Sequence, residues 1–291
     1  MKRLFGFTKF VPVFIIIILC TFLTLFAQGK QFTLKKTHIF EIENELTGRN
    51  HEIIITLPAS YKDSLNKHYP VLYYVDAYWD TPLLNSIHGN LVYDNVIPEL
   101  IMVGFSYPGE DANYGQLRSE DLPPTLSGEA DKFLEFIEKV IIPKIDGEYR
   151  TDKNNRAVSG NSLGGLFTLY AMYKKQNLFN RFIAISPAVL WDNNYLFNVD
   201  NKFAEQTEIL KGRLFISYGG DEYLPFKNPI IEFQKQIAAK NYTRLELLNF
   251  NIEGERHTGV KAEGYSRGLR WVFRDIAPSG PSGLAKEMNG H

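Results

Sequence analysis

Ser162 lies in the run Arg156-Ala-Val-Ser-Gly160-Asn-Ser162-Leu-Gly164-Gly165, a Gly-x-Ser-x-Gly pattern with an apolar residue before it and a helix-forming run behind it. A serine hydroxyl is a poor nucleophile until it is lifted clear of the fold beside a base, and the sharp strand-to-helix turn of a nucleophile elbow does that lifting. Gly160 and Gly164 suit such a turn because it leaves no room for neighbouring Cβ atoms, while the nucleophile itself takes strained backbone angles. The pattern alone is a weak signal, so its setting carries the argument.

The elements that must position this serine alternate along the chain. Residues 32–44 and 51–57 read as an antiparallel opening pair, the second containing Ile53-Ile-Ile-Thr-Leu57. Val71-Leu-Tyr-Tyr-Val75 and Leu100-Ile-Met-Val-Gly-Phe105 are short β-rich runs of the kind that form buried central strands. Apolar residues at helical spacing (Phe133, Phe136, Ile137, Val140, Ile141) predict a helix over 130–142 that stops at Pro143. The elbow strand at 156–159 follows, then a helix over 163–175 and strands at 182–185 and 213–218. A helix over 229–240, a strand over 245–252 and a closing helix over 260–274 complete the pattern. Strands alternating with helices over this length predict an α/β protein of the α/β-hydrolase fold, with a mostly parallel central sheet and helices on both faces.

In that fold the partners of the nucleophile follow it in the order acid, then base. Of six histidines, His38, His51, His68 and His88 precede Ser162, and His291 falls in a polar terminal stretch. His257 remains, in Gly254-Glu-Arg-His257-Thr-Gly259, between a predicted strand and the last helix. It would take the Ser162 proton during attack and return it to the leaving alkoxide. Two adjacent carboxylates, Asp221 and Glu222, follow the strand that ends at Gly219-Gly220. Neighbouring side chains point differently, so one should face His257 and the other solvent. Gly-x-x-acid spacing from Gly219 favours Glu222 and leaves Asp221 as the alternative. An oxyanion hole needs two backbone N–H groups. Leu163 supplies one, and the loop Asp76-Ala77-Tyr78-Trp79 the other, with Tyr78 preferred over Ala77. Trp79 and Trp191, with Tyr78, are candidates to wall the substrate pocket. No histidine pair at ligand spacing and no phosphate-binding Gly-Lys loop is present, so neither a metal nor an organic cofactor is expected.

A chain of 291 residues with net charge −1 and 44% hydrophobic content suits one large globular domain, and near-neutral charge gives no electrostatic footprint for nucleic acid. Lys2, Arg3 and Lys9 precede an apolar run from Phe10 to Ala27, which reads as a signal peptide over 1–27 cleaved after Leu25-Phe-Ala27. A membrane anchor over 10–27 is the alternative. The expected location is therefore outside the cytoplasm, periplasmic or secreted. Cys20, inside this run, is the only cysteine, so the mature protein would have no disulfide, thiol nucleophile or thiolate metal site. The catalytic domain is expected over 32–276. The tail at 277–291, opening on Pro278-Ser-Gly-Pro-Ser-Gly283, is expected to be disordered.

Five stretches together resemble the Putative esterase (esterase D) family across roughly residues 35–275. They are Val71-Leu-Tyr-Tyr-Val-Asp76, Tyr149-Arg-Thr-Asp152 leading to the elbow run, and Ile185-Ser-Pro187 with Trp191. The other two are Glu253 to Val260 around His257, and Arg118-Ser-Glu-Asp121-Leu-Pro-Pro-Thr125. Family members include siderophore and feruloyl esterases, S-formylglutathione hydrolase and mycolyltransferases. The resemblance implies a serine carboxylic-ester hydrolase working through an acyl-enzyme intermediate. Its implied substrate is a small-molecule or carbohydrate-linked ester, such as a siderophore lactone or a carbohydrate acyl ester. It further implies that Arg118 helps to hold substrate or oxyanion. The alternatives are an acyltransferase to a sugar or alcohol and a catalytically inactive binding module. Two positions depart from the family: Ala77 stands where glycine is usual, and Trp191 is the one tryptophan where siderophore esterases carry a pair.

Overall fold

The computed structural model describes residue 34 and residues 37–109 and 111–289. The expected signal peptide or anchor at 1–27 lies outside the described residues, as does His291. Strands β1 (Thr37–Asn44) and β2 (Arg49–Thr56) lead into β3 (Tyr69–Tyr74), α1 (Ala77–Tyr93), β4 (Ile101–Ser106) and α2 (Tyr114–Asp121). Next come α3 (Ala130–Phe136), a π-helical turn (Ile137–Ile141), α4 (Ile142–Glu148), β5 (Thr151–Asn161), α5 (Leu163–Lys174) and β6 (Arg181–Ile185). The remainder is α6 (Trp191–Gln206), β7 (Ile209–Gly219), α7 (Leu224–Ala239), β8 (Thr243–Ile252), α8 (Val260–Phe273) and α9 (Gly283–Asn289).

The eight strands form one sheet in the order β1-β2-β4-β3-β5-β6-β7-β8. β2 runs antiparallel to both its neighbours, and the pairs from β4 through β8 are parallel. Side-chain alternation along a strand feeds two separate cores. Val71 and Tyr73 of β3, with Val75 just after it, pack on one face with the helices from α3 to α7. Leu72 and Tyr74 pack on the other with α1 and α8. This is the expected mostly parallel sheet covered on both faces. Because the strands are parallel, their carboxyl ends share one edge, where ligands of open α/β sheets bind.

Three local expectations change. The helix predicted to stop at Pro143 continues to Glu148. A π-turn, in which the Ile142 amide reaches back to the Ile137 carbonyl, restarts the helix so that Pro143 falls in a first turn, where a missing N–H breaks no bond. The stretch after β3, expected as a loop, enters α1 at Ala77. Pro82 and Gly89 disguise this helix in the sequence, while burial of Leu84, His88 and Leu91 secures it. The tail expected to be disordered carries α9, and the Asn95 side-chain amide donates to the carbonyls of Gly280 and Pro281 (3.3 and 3.0 Å).

An ion-pair knot just beyond α8 ties the chain to the sheet, with Arg181 buried and the Asp275 side chain 31% exposed. Arg181, 2% exposed, donates to Asp275 Oδ1 (2.7 Å) and Oδ2 (3.1 Å), and Arg213 also pairs with Asp275. Burial alone would raise the Asp275 pKa, but the bonds and charges of the two arginines outweigh it and hold the group at about 2, below its ordinary 3.8. Stability from this knot is fully present above the ordinary value and is lost as pH falls through about 2. Asp275→Asn should therefore lower the melting temperature at pH 6, and the gap to the wild type should narrow between pH 4 and pH 2. Thermal melts across that range test this, and a gap independent of pH would refute it.

Candidate active site

β5 ends at Asn161, and α5 begins at Leu163 with Ser162 between them at φ 59° and ψ −117°. Such angles in a residue with a Cβ cost on the order of 1–3 kcal/mol and persist only under constraint. The constraint is a set of backbone bonds. The Ser162 amide donates to Ile185 O (3.0 Å), and its carbonyl accepts from Leu166 N (3.0 Å) and Ala188 N (2.9 Å). A Cβ at Gly160 would sit 2.5 Å from the Gly164 carbonyl carbon, so the turn excludes any larger residue there. Ser162 is half-buried, at the carboxyl edge of the sheet.

The candidate acids and His257 stand on two loops pressed together at the same edge. Gly220 N donates to Ile252 O (2.8 Å) and Asp221 N to Glu255 O (3.0 Å), tying the turn after β7 to the turn after β8. A Cβ on Gly219 would run into the Glu255 carbonyl, so glycine permits this approach. The two carboxylates diverge. Asp221 is exposed, whereas the Glu222 side chain is 1% exposed, with Oε1 3.4 Å from His257 Nδ1. That separation is longer than a formed hydrogen bond, and catalytic hydrogen bonds are often long before substrate draws the site together. Glu222 Oε1 also accepts a hydrogen bond from Ser186 Oγ, and Oε2 has no partner. Phe226 packs edge-on against the imidazole, ring centroids 4.7 Å apart at 78°, leaving the His257 side chain 40% exposed.

On the other side of Ser162, β3 runs into Asp76, which turns the chain with φ 60°. Ala77, unusual for the family, is helical and fully buried. The left-handed angle falls on Asp76 instead, so the turn does not need glycine at 77. Tyr78 thus sits in the first turn of a helix rather than in a loop. The amides of Trp79 and Asp80 donate to Asp76 O (3.0 and 3.1 Å), which leaves those of Ala77 and Tyr78 without an intrahelical acceptor. Leu163 is in the same position at the start of α5. Two helix N-termini, each carrying partial positive charge, therefore stand at the ends of adjacent strands.

Arg118, expected to hold substrate or oxyanion, is paired with Asp76. Nε donates to Oδ1 (2.6 Å) and Nη2 to Oδ2 (2.7 Å), with a longer bond from Nη2 to Asn161 O (3.4 Å). Its side chain is 15% exposed. It braces the turn before α1 against the strand before the serine. A second brace joins α1 to α8, which starts three residues after His257. Buried Asp80 accepts from Lys261 Nζ and Tyr265 OH, both at 2.5 Å. Burial pushes Asp80 above the usual carboxylate range, with the bonds from Lys261 and Tyr265 opposing that shift.

Of the expected aromatic wall, Tyr78 and Trp79 are about half exposed, and Tyr78 stacks on Tyr114 at 4.2 Å and 18°. Trp191 is partly buried and packs against the core, its amide donating to Ala188 O (3.1 Å). Nothing in the sequence singles out Tyr114 and Phe226, because aromatic residues in helices resemble core residues. Asp76 and Ser186 stood in recognised stretches without a role. Among the described residues no group of three or more His, Cys, Asp or Glu side chains is gathered to hold a metal.

A protein-family model described as "Putative esterase" matches residues 44–222, more than half of the chain. Ferri-bacillibactin esterase BesA of Bacillus subtilis is 26% identical over 86% of this chain and 93% of its own length. The siderophore triacetylfusarinine C esterase of Aspergillus fumigatus is 27% identical over 83% and 94%. Among solved structures, the BES protein of Bacillus cereus superposes with a TM-score of 0.76 at 24% identity, covering 84% of this chain and 97% of its own. That likeness shows a shared fold, the α/β-hydrolase fold of esterases.

Proposed function

The chain belongs to the Putative esterase family of ester hydrolases, and on that premise we propose that it is a serine esterase that opens siderophore-type esters through an acyl-enzyme on Ser162. The observation that carries the chemistry is the buried Glu222 carboxylate facing the Nδ1 of His257 at the sheet edge that bears the strained serine. Glu222 keeps the Nδ1 proton in place, so that Nε2 is the basic nitrogen. Ser162 Oγ attacks the ester carbonyl as its proton passes to Nε2. The tetrahedral oxyanion accepts hydrogen bonds from the amides of Leu163 and Tyr78, with Ala77 the alternative to Tyr78. Collapse expels the alcohol, which takes the proton from the imidazolium, and acyl-Ser162 remains. Water then attacks with His257 again as base, releasing the acid and restoring the hydroxyl.

The substrate class rests on the two curated relatives named for siderophore ester cleavage, each aligned with more than four-fifths of this chain. The half-exposed faces of Tyr78 and Trp79 suit a large ligand with planar groups. The apolar run at residues 10–27 supports action outside the cytoplasm.

Hydrolysis rates on a trilactone siderophore, methyl ferulate and p-nitrophenyl acetate test this reading. The trilactone should be favoured by about a hundredfold or more in kcat/KM, the scale that differential contacts in a site can supply. Faster turnover of methyl ferulate would overturn the substrate assignment. Formation of new esters in the presence of added alcohols, at the expense of free acid, would favour acyl transfer.

A further inference from the structure

Ser186 occupies the joint between nucleophile and acid. It follows β6, is fully buried, and has φ 40°, in the left-handed region that side chains other than glycine enter only under constraint. Its amide donates to the Ser217 carbonyl (2.7 Å) near the end of β7. The residue before it and the one two places after it are bonded to the nucleophile: Ile185 O accepts from Ser162 N, and Ala188 N donates to Ser162 O. Pro187 closes against Gly165, where an added Cβ would lie 2.9 Å from the Pro187 Cα. Held in this frame, Ser186 Oγ donates to Glu222 Oε1, the same oxygen that lies 3.4 Å from His257 Nδ1.

We propose that Ser186 is a positioning residue of the triad, its hydroxyl fixing the Glu222 carboxylate so that Oε1 faces the catalytic imidazole. The proposal rests on the roles assigned above to Ser162, His257 and Glu222. Rotation of a glutamate carboxylate about its last torsion meets only a broad, shallow preference. Glu222 Oε2 has no hydrogen-bond partner to arrest that rotation, so the Ser186 hydroxyl is the side-chain donor that can. A hydroxyl suits the task because a buried carboxylate needs a donor, and a hydrogen bond to an ionised group is a strong one. Glycine would adopt φ 40° with less strain, so the backbone alone gives no reason for a serine here. The side chain does. Because Ser186 is fully buried, it acts on Glu222 without touching substrate.

The test is steady-state kinetics on p-nitrophenyl acetate with Ser186→Ala, Ser186→Gly, Glu222→Ala and the double variant Ser186→Ala/Glu222→Ala. Each Ser186 variant should lose about ten- to a hundredfold in kcat, the scale of one hydrogen bond to a buried charge, with KM changed less than about twofold. Ser186→Gly relieves the backbone angle and Ser186→Ala does not, so their melting temperatures should differ while their losses in kcat agree. Should the alanine variant fail to fold, the glycine variant still gives the reading. In the Glu222→Ala background, removing the Ser186 hydroxyl should cost less than about twofold more, because its partner is gone. Wild-type kcat in both Ser186 variants, alongside a crippled Glu222→Ala, would overturn the proposal and leave the triad intact. So would a raised KM at unchanged kcat. Full activity in Glu222→Ala would instead bring down the triad reading itself, and the Ser186 proposal with it.

Discussion

Ser162→Ala should abolish labelling by a fluorophosphonate and lower kcat on p-nitrophenyl acetate by about five to six orders of magnitude, the scale seen when a serine nucleophile is deleted. The size of the loss follows from the covalent route, since no acyl-enzyme can form without Oγ. A residual acceleration of about a thousandfold over water should remain, because the oxyanion amides and the binding surface are untouched. The fold should be indifferent to the change. The three bonds that hold position 162 come from its backbone amide and carbonyl, and alanine keeps both. Melting temperature therefore controls for folding. A variant that retains turnover would move the nucleophile elsewhere and remove the basis for every role assigned here.

Glu222→Gln should cost about three to four orders of magnitude in kcat, and Asp221→Asn less than about twofold, although the two residues are adjacent. The introduced glutamine would fill the same buried space, but its amide can present an N–H to His257 Nδ1. The imidazole would then be held in the tautomer whose Nε2 carries a proton and cannot accept one from Ser162. Asp221 is exposed, and its amide, not its carboxylate, makes the contact to Glu255 O. Measuring both amide variants against the same ester decides between the carboxylates. A severe loss in Asp221→Asn with Glu222→Gln near normal would reverse the assignment. Stability offers an independent readout: an amide N–H in the place of Oε1 can donate to the Ser186 hydroxyl, which accepts as well as donates, so the melting temperature should change little.

What is legible in the chain and what is not divides along the range of the interactions involved. The elbow was legible because its requirements are local. A strand, a strained serine between close-packed glycines and a helix lie within two dozen consecutive residues, 151–174. Chain order singles out His257 as a candidate, since α/β topology carries the last strand and its loop to the same sheet edge as Ser162. The buried strands announced themselves as short β-branched and aromatic runs. The helix at Ala77 and the passage beyond Pro143 were masked by proline and glycine, whose local penalties were outweighed by burial against the sheet.

The strand-to-helix turn at Ser162, the candidate base His257, the pair of adjacent carboxylates and the layered sheet can all be read from the chain alone, because periodicity and short-range sterics are written in neighbouring residues. Tertiary structure alone decided which carboxylate turns inward, that Arg118 braces Asp76 from 42 positions away, and that Ser186 reaches Glu222 across 36. Each of these depends on which side chain is withdrawn from water beside which charge. Partners so distant along the chain meet only once the sheet has brought the ends of its strands together.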